Sequence, residues 1–133
     1  MPFDGNPEVR VIPQVVTDLT AARDYLDEYG WCQGHLVEGP RRCLVGAIRQ
    51  VCLGDGKRKL TTVDGNMLPQ AQRAIKAEWA LRNYLNAHMN SGHRYGYDVD
   101  VAWWNDRHNY RDVRGLLNLV IADELAKEKG NAI

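Results

Sequence analysis

The stretch Gly30-Trp31-Cys32-Gln33-Gly34-His35, followed after a short turn by Arg42-Cys43-Leu44-Val45-Gly46-Ala47-Ile48, carries the strongest fold signal in this chain. We call residues 30–48 the first tryptophan segment. The second tryptophan segment is Trp103-Trp104-Asn105-Asp106. A tryptophan beside small polar residues is typical of a packed ring whose polar tip is hydrogen-bonded. We therefore expect the two segments to meet in space and to hold the fold together.

The composition predicts one domain with a real core. The chain has 133 residues, of which 44% are hydrophobic, and this length fits a single domain. The 17 Lys and Arg residues balance the 17 Asp and Glu residues. A net charge of zero argues against nucleic-acid binding, which relies on neutralising phosphates.

The same composition predicts a cytoplasmic protein that does not associate with a membrane. No apolar run reaches the roughly 20 residues that span a bilayer. The first six residues, Met-Pro-Phe-Asp-Gly-Asn, do not resemble a signal peptide. Three cysteines are an odd number, and a chain of this length needs no disulfides, so we expect free thiols.

The pattern of apolar residues predicts a mainly α fold, with four principal helices in a compact bundle and a short hairpin or extended segment near 31–41. Residues 1–16 carry three of the five prolines and read as an irregular N-terminal arm, which leaves 17–133 as a single helical domain. Apolar spacing and capping signals place the helices at about 17–29, 43–53, 66–89 and 109–129.

Local signals support these boundaries. Thr17 or Asp18 can cap the first helix, and Gly30 can end it. Pro69 suits the first turn of the third helix. Asn109, with Asp112 three residues later, resembles a capping box for the last helix. That helix has the cleanest apolar stripe and should pack against the first and third helices; the stripe comprises Val113, Leu116, Leu117, Val120, Ile121 and Leu125.

Cys43 is the best candidate for a catalytic nucleophile. It lies at the predicted start of a helix, where the helix dipole lowers the pKa of a thiol. His35 would act as the base, and Asn105 or Asp106 would orient it, as in a cysteine-dependent hydrolase or transferase. Asp106 could also act as a general base. The competing interpretation, which we favour, is a small buried cysteine packed under a tryptophan.

Five residues of the two segments are candidates for binding a ligand or a partner. The amide of Gln33 can either contact a ligand or satisfy buried backbone groups. The second segment can likewise form a site, although a turn pinned to the core by its tryptophan is the favoured interpretation. The five candidates are Trp31, Gln33, Trp104, Asn105 and Asp106.

Metal and cofactor sites are not expected. Cys32-x-x-His35 has a spacing familiar from zinc ligands. Cys43 and Cys52, however, would lie about 13.5 Å apart along one helix, so both do not easily reach one ion. The chain also lacks a Gly-rich phosphate loop, a Gly-x-Ser-x-Gly turn and a His-Glu-x-x-His motif.

Aromatic and basic side chains cluster around residues 94–108. They could stack on a nucleic-acid base or dock a partner, or they could close one end of the bundle. The basic run Lys57-Arg58-Lys59 is most simply a solvated turn. The members of the aromatic cluster are Arg94, Tyr95, Tyr97, Trp103, Trp104, Arg107 and His108.

The ordered motifs resemble those of a family of small proteins with a domain of unknown function in actinobacteria and their phages. Its pattern is roughly W-x-Q-G, G-R-x-C-x-x-G-A and W-N-D. The resemblance spans about residues 18–125 and implies an actinobacterial or phage context but no particular chemistry. The matching residues are Trp31, Gln33, Gly34, Arg41, Cys43, Gly46, Ala47, Trp104, Asn105 and Asp106.

From the sequence we expect a non-catalytic accessory protein that binds another protein, with a homodimer as one form of that interaction. The expectation follows from the absence of a strong catalytic motif, the zero net charge and the surplus of aromatic residues. The alternative is a small enzyme that uses Cys43 with His35 and Asn105 or Asp106.

Overall fold

The computed structural model describes residues 11–89 and 99–131, the last three of them as backbone alone. Over these residues the chain is mainly helical with one small hairpin, which confirms the predicted fold class. In chain order the elements are α1 (Gln14–Tyr29), β1 (Val37–Glu38), β2 (Arg41–Arg42), α2 (Leu44–Leu53), α3 (Ala71–His88), α4 (Val101–Asn105) and α5 (Tyr110–Asn131).

Two predicted helix boundaries are confirmed by their capping groups. Gly30 follows α1 with φ +101, and its N–H donates to the carbonyl of Leu26. A residue with a side chain rarely adopts this φ, so glycine suits the position. The Oδ1 of Asn109 accepts the N–H of Asp112 at 2.9 Å and caps the first turn of α5.

Helix α1 begins earlier than predicted, because Pro13 directly precedes it and the Pro13 carbonyl already accepts the N–H of Thr17. Thr17 and Asp18 therefore lie inside the helix and are not its caps. The side chain of Asp18 is buried, and its Oδ1 accepts a hydrogen bond from Nη2 of Arg73 at 2.5 Å. This ion pair links α1 to α3. Residues 1–10 of the predicted arm lie outside the described residues.

Two other boundaries differ from the prediction. Helix α3 begins at Ala71, because residues 54–70 form a loop in which Thr61 and Met67 make a short antiparallel bridge.

The second tryptophan segment lies largely on the short helix α4, where the sequence favours a turn. Asp100 caps this helix by accepting the N–H of Trp103 at 2.7 Å.

The core lies between the buried faces of α1, α2, α3 and α5. As predicted, α5 contacts α1 and α3. Its buried stripe is shorter than the pattern indicates, since Leu125 is substantially exposed. The buried side chains include Leu19 and Leu26 of α1, Leu44 and Ile48 of α2, Leu81 and Leu85 of α3, and Val113, Leu116, Leu117 and Val120 of α5.

The hairpin lies within the first tryptophan segment, and its second strand is hydrogen-bonded to the residues that directly follow α1. Its strands pair in antiparallel register around a two-residue loop, Gly39-Pro40, as predicted for this stretch. The N–H of Arg42 donates to the carbonyl of Gly30 at 3.2 Å, and the N–H of Cys32 donates to the carbonyl of Arg42 at 3.0 Å. These bonds place Trp31 beside the start of α2.

Candidate functional site

The two tryptophan segments meet at the side chain of Asn105, which is fully buried. Its Oδ1 accepts the indole N–H of Trp31 at 2.7 Å and the backbone N–H of Leu44 at 3.0 Å. Its Nδ2 donates to the carbonyl of Cys32 at 3.2 Å and to Oδ1 of Asp106 at 3.1 Å. All four hydrogen-bonding positions of the carboxamide are therefore used within the protein.

Gln33 and Asp106 extend this network to the surface. The Nε2 of Gln33 donates to the carbonyls of His108 at 2.7 Å and Asp106 at 3.2 Å. The Oδ1 of Asp106 accepts the N–H of Gly34 at 2.8 Å. The Gln33 amide thus satisfies backbone carbonyls, which is one of the two roles left open by its position in the sequence.

Cys43 caps α2. It has the extended φ of −78 and ψ of 177 of an N-cap residue, and its Sγ accepts the N–H of Gly46 at 3.3 Å. The spacing Cys-x-x-Gly is therefore that of an N-cap residue and the third residue of its helix. The N–H of Leu44, which follows the cap, donates to Oδ1 of Asn105. A residue of α4 therefore helps to cap α2. We call Trp31, Cys43 and Asn105, with their hydrogen bonds, the tryptophan corner.

Gly46 permits the hairpin to pack tightly on α2. A Cβ at this position would lie 2.1 Å from the carbonyl oxygen of Leu36, far inside van der Waals contact. The same carbonyl accepts the N–H of Cys43 at 3.2 Å. A residue without a side chain is needed at this close approach.

The Cys43 thiol lacks the surroundings of an activated nucleophile. It is 4% exposed, and burial raises its pKa although the N–H groups of Gly46 and Val45 partly oppose the effect. The expected lowering of the pKa by the helix start is therefore outweighed. His35 is exposed, and the structure gives no hydrogen bond between its ring and Cys43 among the residues it describes.

The other thiols are also buried and free. Burial raises the pKa of Cys32, and it raises that of Cys52 to about 12. The Sγ of Cys32 lies 3.4 Å from the carbonyl of His35. Within the described parts of the chain, no group of three or more His, Cys, Asp or Glu side chains is arranged to hold a metal ion.

The aromatic cluster is only partly visible, because Arg94, Tyr95 and Tyr97 lie outside the described residues. The Arg107 guanidinium lies over the Trp103 ring at 3.9 Å. The His108 ring stacks on Trp104, with ring centroids 4.1 Å apart. One face of each tryptophan ring is thus covered by a side chain four residues further along the chain.

A groove that the sequence did not predict lies beside the tryptophan corner. Its volume is about 410 Å³, and it is bounded by the hairpin, α2, the loop after α2, α3 and the start of α4. Asn105 ties α4 to α2, and Gly46 lets the hairpin approach, so the motif residues position two of its walls. Its apolar lining comprises Leu36, Val45, Leu60, Ile75, Val101 and Ala102. We call it the Trp79 groove.

Charged and aromatic side chains of α2 and α3 complete the groove. The Nε of Arg49 donates to Oε2 of Glu78 at 3.3 Å, and both side chains are only 20% exposed. Burial raises the pKa of Glu78, although Arg49 opposes this. Trp79 is 50% exposed, and the Arg82 guanidinium lies 4.8 Å from its ring centroid.

One sequence signal points to this groove. The apolar stripe of the third helix is broader and less regular than the others, because its residues trace overlapping faces that include Glu78, Trp79 and Arg82. Polar residues within a predicted buried face are a sign of a polar site. The pairing of Glu78 with Arg49 depends on the packing of α2 on α3 and is not visible in the sequence.

Comparison with protein families gives one match. The model of a family of unknown function, DUF6197, matches residues 12–123. No curated protein and no solved structure matches the chain. Over the described residues, none of the helices combines the length and the apolar character needed to cross a membrane.

Proposed function

The chain belongs to the DUF6197 family, and from this premise we propose that it is a non-catalytic accessory protein that binds a protein partner through the Trp79 groove. The single observation that carries the proposal is Trp79, which is 50% exposed on the wall of a largely apolar groove. The corner beside it offers no such surface, since the Asn105 carboxamide has no free donor or acceptor. A group that is fully bonded and buried supports a scaffold, and it has nothing left to offer a substrate.

The groove supplies the binding surface in this proposal. Trp79 is large and half exposed, and tryptophan is the residue type most enriched at the energetic centres of protein interfaces. The walls beside it are mainly apolar, and the motif residues Asn105 and Gly46 position two of them. An apolar surface with one aromatic anchor suits recognition of another protein.

The cysteine-dependent enzyme remains the alternative, and the geometry does not favour it. A thiol attacks as its thiolate, whereas burial raises the pKa of Cys43. We expect native Cys43 to react with iodoacetamide at neutral pH about 100-fold or more slowly than in urea, since reaction requires opening of the fold. Peptide mass spectrometry identifies the labelled cysteine, and rapid labelling of native Cys43 would favour the enzyme.

Site-specific crosslinking tests the partner. A photoreactive phenylalanine analogue replaces Trp79 in one variant and Tyr29, which is 47% exposed on α1, in the control. In a lysate of the source organism, we expect one protein to be crosslinked from position 79 but not from position 29. That protein, once purified, should bind the wild-type chain. Crosslinking that is equal at both positions, or no binding by the purified protein, contradicts the proposal.

The predicted origin, cellular location and oligomeric state of the protein belong to the same proposal. An actinobacterial or phage origin and a cytoplasmic location remain predictions of the sequence. A homodimer is the simplest form of the partner hypothesis. Light scattering measures it directly, since one chain has a mass of 15.1 kDa.

A further inference from the structure

We infer that the Trp79 groove binds an extended peptide segment, with its main-chain amides on Arg49 and Glu78 and an apolar side chain against the wall beside Trp79. The inference rests on the proposed function and specifies the kind of partner that the groove takes. Three features of the described residues carry it: unused hydrogen-bonding atoms, charge balance, and the length of the surface around Trp79.

The ion pair in the groove is only half satisfied. One bond joins Nε of Arg49 to Oε2 of Glu78. Among the described residues, neither the terminal nitrogens of Arg49 nor Oε1 of Glu78 has a protein partner. Both side chains line the groove and are four-fifths covered, and polar atoms with little access to water gain from a hydrogen-bonding partner. The free atoms therefore offer donors from Arg49 and an acceptor from Glu78 to a ligand.

A peptide amide has both the acceptor that Arg49 needs and the donor that Glu78 needs. Its carbonyl accepts from the Arg49 guanidinium, and its N–H donates to the Glu78 carboxylate. The pair already neutralises itself, and the other two charged lining residues, Arg82 and Asp100, also have opposite signs. A neutral ligand with both a donor and an acceptor fits this balance better than an anion or a cation.

The shape of the surface favours a chain over a compact ligand. Trp79 also lines a second groove of about 530 Å³, which runs between α3 and α5 past Tyr84 and Lys127. The two grooves thus share Trp79 as a common wall. An extended peptide can follow such a surface, gaining affinity from main-chain hydrogen bonds and specificity from side-chain pockets.

The experiment titrates N-acetyl-leucine N-methylamide into the ¹⁵N-labelled chain and follows the spectrum by NMR. N-acetyl-glycine N-methylamide, which lacks the apolar side chain, is the control probe. We expect saturable shifts at the Trp79 indole and at the Arg49 side chain, with an affinity for the leucine probe at least about tenfold higher. No saturable shift at Trp79 or Arg49 overturns the inference.

The ion pair is tested with the double variant Arg49→Met/Glu78→Leu. Replacing both partners avoids leaving one buried charge unpaired, and such replacements are often well tolerated. The matched control is Asp27→Leu/Arg114→Met, which removes an exposed ion pair between α1 and α5. We expect at least tenfold weaker binding of the leucine probe by the first variant only. Unchanged binding by that variant overturns the inference.

A second measurement covers the case in which the double variant does not fold. In the wild-type chain, hydrogen bonds to the probe should shift the Nη resonances of Arg49 and slow the exchange of their protons. The Arg114 side chain, which already binds Asp27, should not change. Unaltered Arg49 resonances at probe saturation contradict amide recognition. A partner crosslinked from position 79 would then leave the proposed function standing while this inference fails.

Discussion

The tryptophan corner and the Trp79 groove lie side by side and differ in how fully their polar side chains are hydrogen-bonded within the protein. In the corner, the Asn105 carboxamide uses all four of its hydrogen-bonding positions on other parts of the chain. In the groove, Arg49 and Glu78 share one bond and leave other atoms unused. The most distinctive motifs thus build the scaffold, while the proposed binding surface consists of less distinctive residues beside them.

The largest expected effect comes from breaking the corner at Asn105. Replacing Asn105 with Leu leaves the Trp31 indole N–H, the Leu44 N–H and the Cys32 carbonyl without their partner. Because each orphaned buried group costs about 1–3 kcal/mol, we expect the free energy of unfolding to fall by about 3–5 kcal/mol. Urea denaturation measures the loss.

Asn118→Leu is the matched control for that variant. Asn118 is exposed and accepts one bond from Arg23, so we expect a loss below about 1 kcal/mol. Equal losses for the two variants would show that Asn105 is not a structural hub.

The second largest loss of stability is expected at Gly46, where the Leu36 carbonyl lies close to α2. A methyl group there would meet the Leu36 carbonyl oxygen at 2.1 Å, so the hairpin must move away from α2. We expect Gly46→Ala to lower the free energy of unfolding by about 2–4 kcal/mol.

Gly115→Ala provides the comparison on α5, where a Cβ would meet no atom within 4 Å. Because alanine favours helix over glycine, this variant should gain about 0.5–1 kcal/mol. Thermal or urea unfolding of both variants measures the contrast. A stabilising effect of Gly46→Ala would contradict the packing described for the hairpin.

Smaller effects are expected at Cys43, because its role in the corner is to cap α2. A serine oxygen accepts a hydrogen bond at an N-cap at least as well as sulfur does, so Cys43→Ser should change the free energy of unfolding by less than about 1.5 kcal/mol. Cys43→Ala, which loses the acceptor, should be less stable than the serine variant. Binding of the crosslinked partner should survive Cys43→Ser, whereas loss of function in a folded serine variant would indicate a chemical role for the thiol.

The ionisation of Glu78 in the groove and that of Asp27 in the exposed pair with Arg114 should change the free energy of unfolding in opposite directions as the pH rises. Burial raises the pKa of Glu78 above 4.5, so its ionisation reduces stability as pH rises from 4.5 through its folded-state pKa. Compared with the wild type, Glu78→Gln should therefore become relatively more stable as the pH rises from 4 to 7.

For Asp27→Asn we expect the opposite change in relative stability with pH. Bonds from Arg114 and Tyr110 lower the pKa of Asp27 below 3.8, so its ionisation adds stability that is present above that pH and is lost on acidification. This variant should become relatively less stable between pH 3 and pH 7. Urea unfolding across the pH range distinguishes the two trends, and parallel trends would contradict the assigned environments.

Much of the fold could be predicted because its signals are local. Gly30 ends α1 and Asn109 caps α5 through bonds that span only a few residues. The start of α1 is earlier than predicted because the prolines of residues 1–16 indicate an irregular arm, whereas Pro13 directly precedes the helix. Helix α4 was missed because five residues carry too little periodicity to be recognised.

The site was less predictable because it depends on long-range contacts. The sequence indicated that the two tryptophan segments meet, but the bond from Trp31 to Asn105 spans 74 positions. Likewise, a helix start suggests a lowered thiol pKa, whereas burial of Cys43 has the larger effect. The Arg49–Glu78 pair spans 29 positions and depends on the packing of α2 on α3.

Hydrogen exchange of the indole protons distinguishes a locked tryptophan corner from an open Trp79 groove. The Trp31 indole N–H is bonded to the fully buried Asn105, whereas Trp79 is half exposed. By NMR in deuterated water, we predict that the Trp31 indole proton exchanges at least about 100-fold more slowly than that of Trp79, since it requires the tryptophan corner to open. Equal exchange rates at the two indoles would contradict the account of a locked corner beside an open groove.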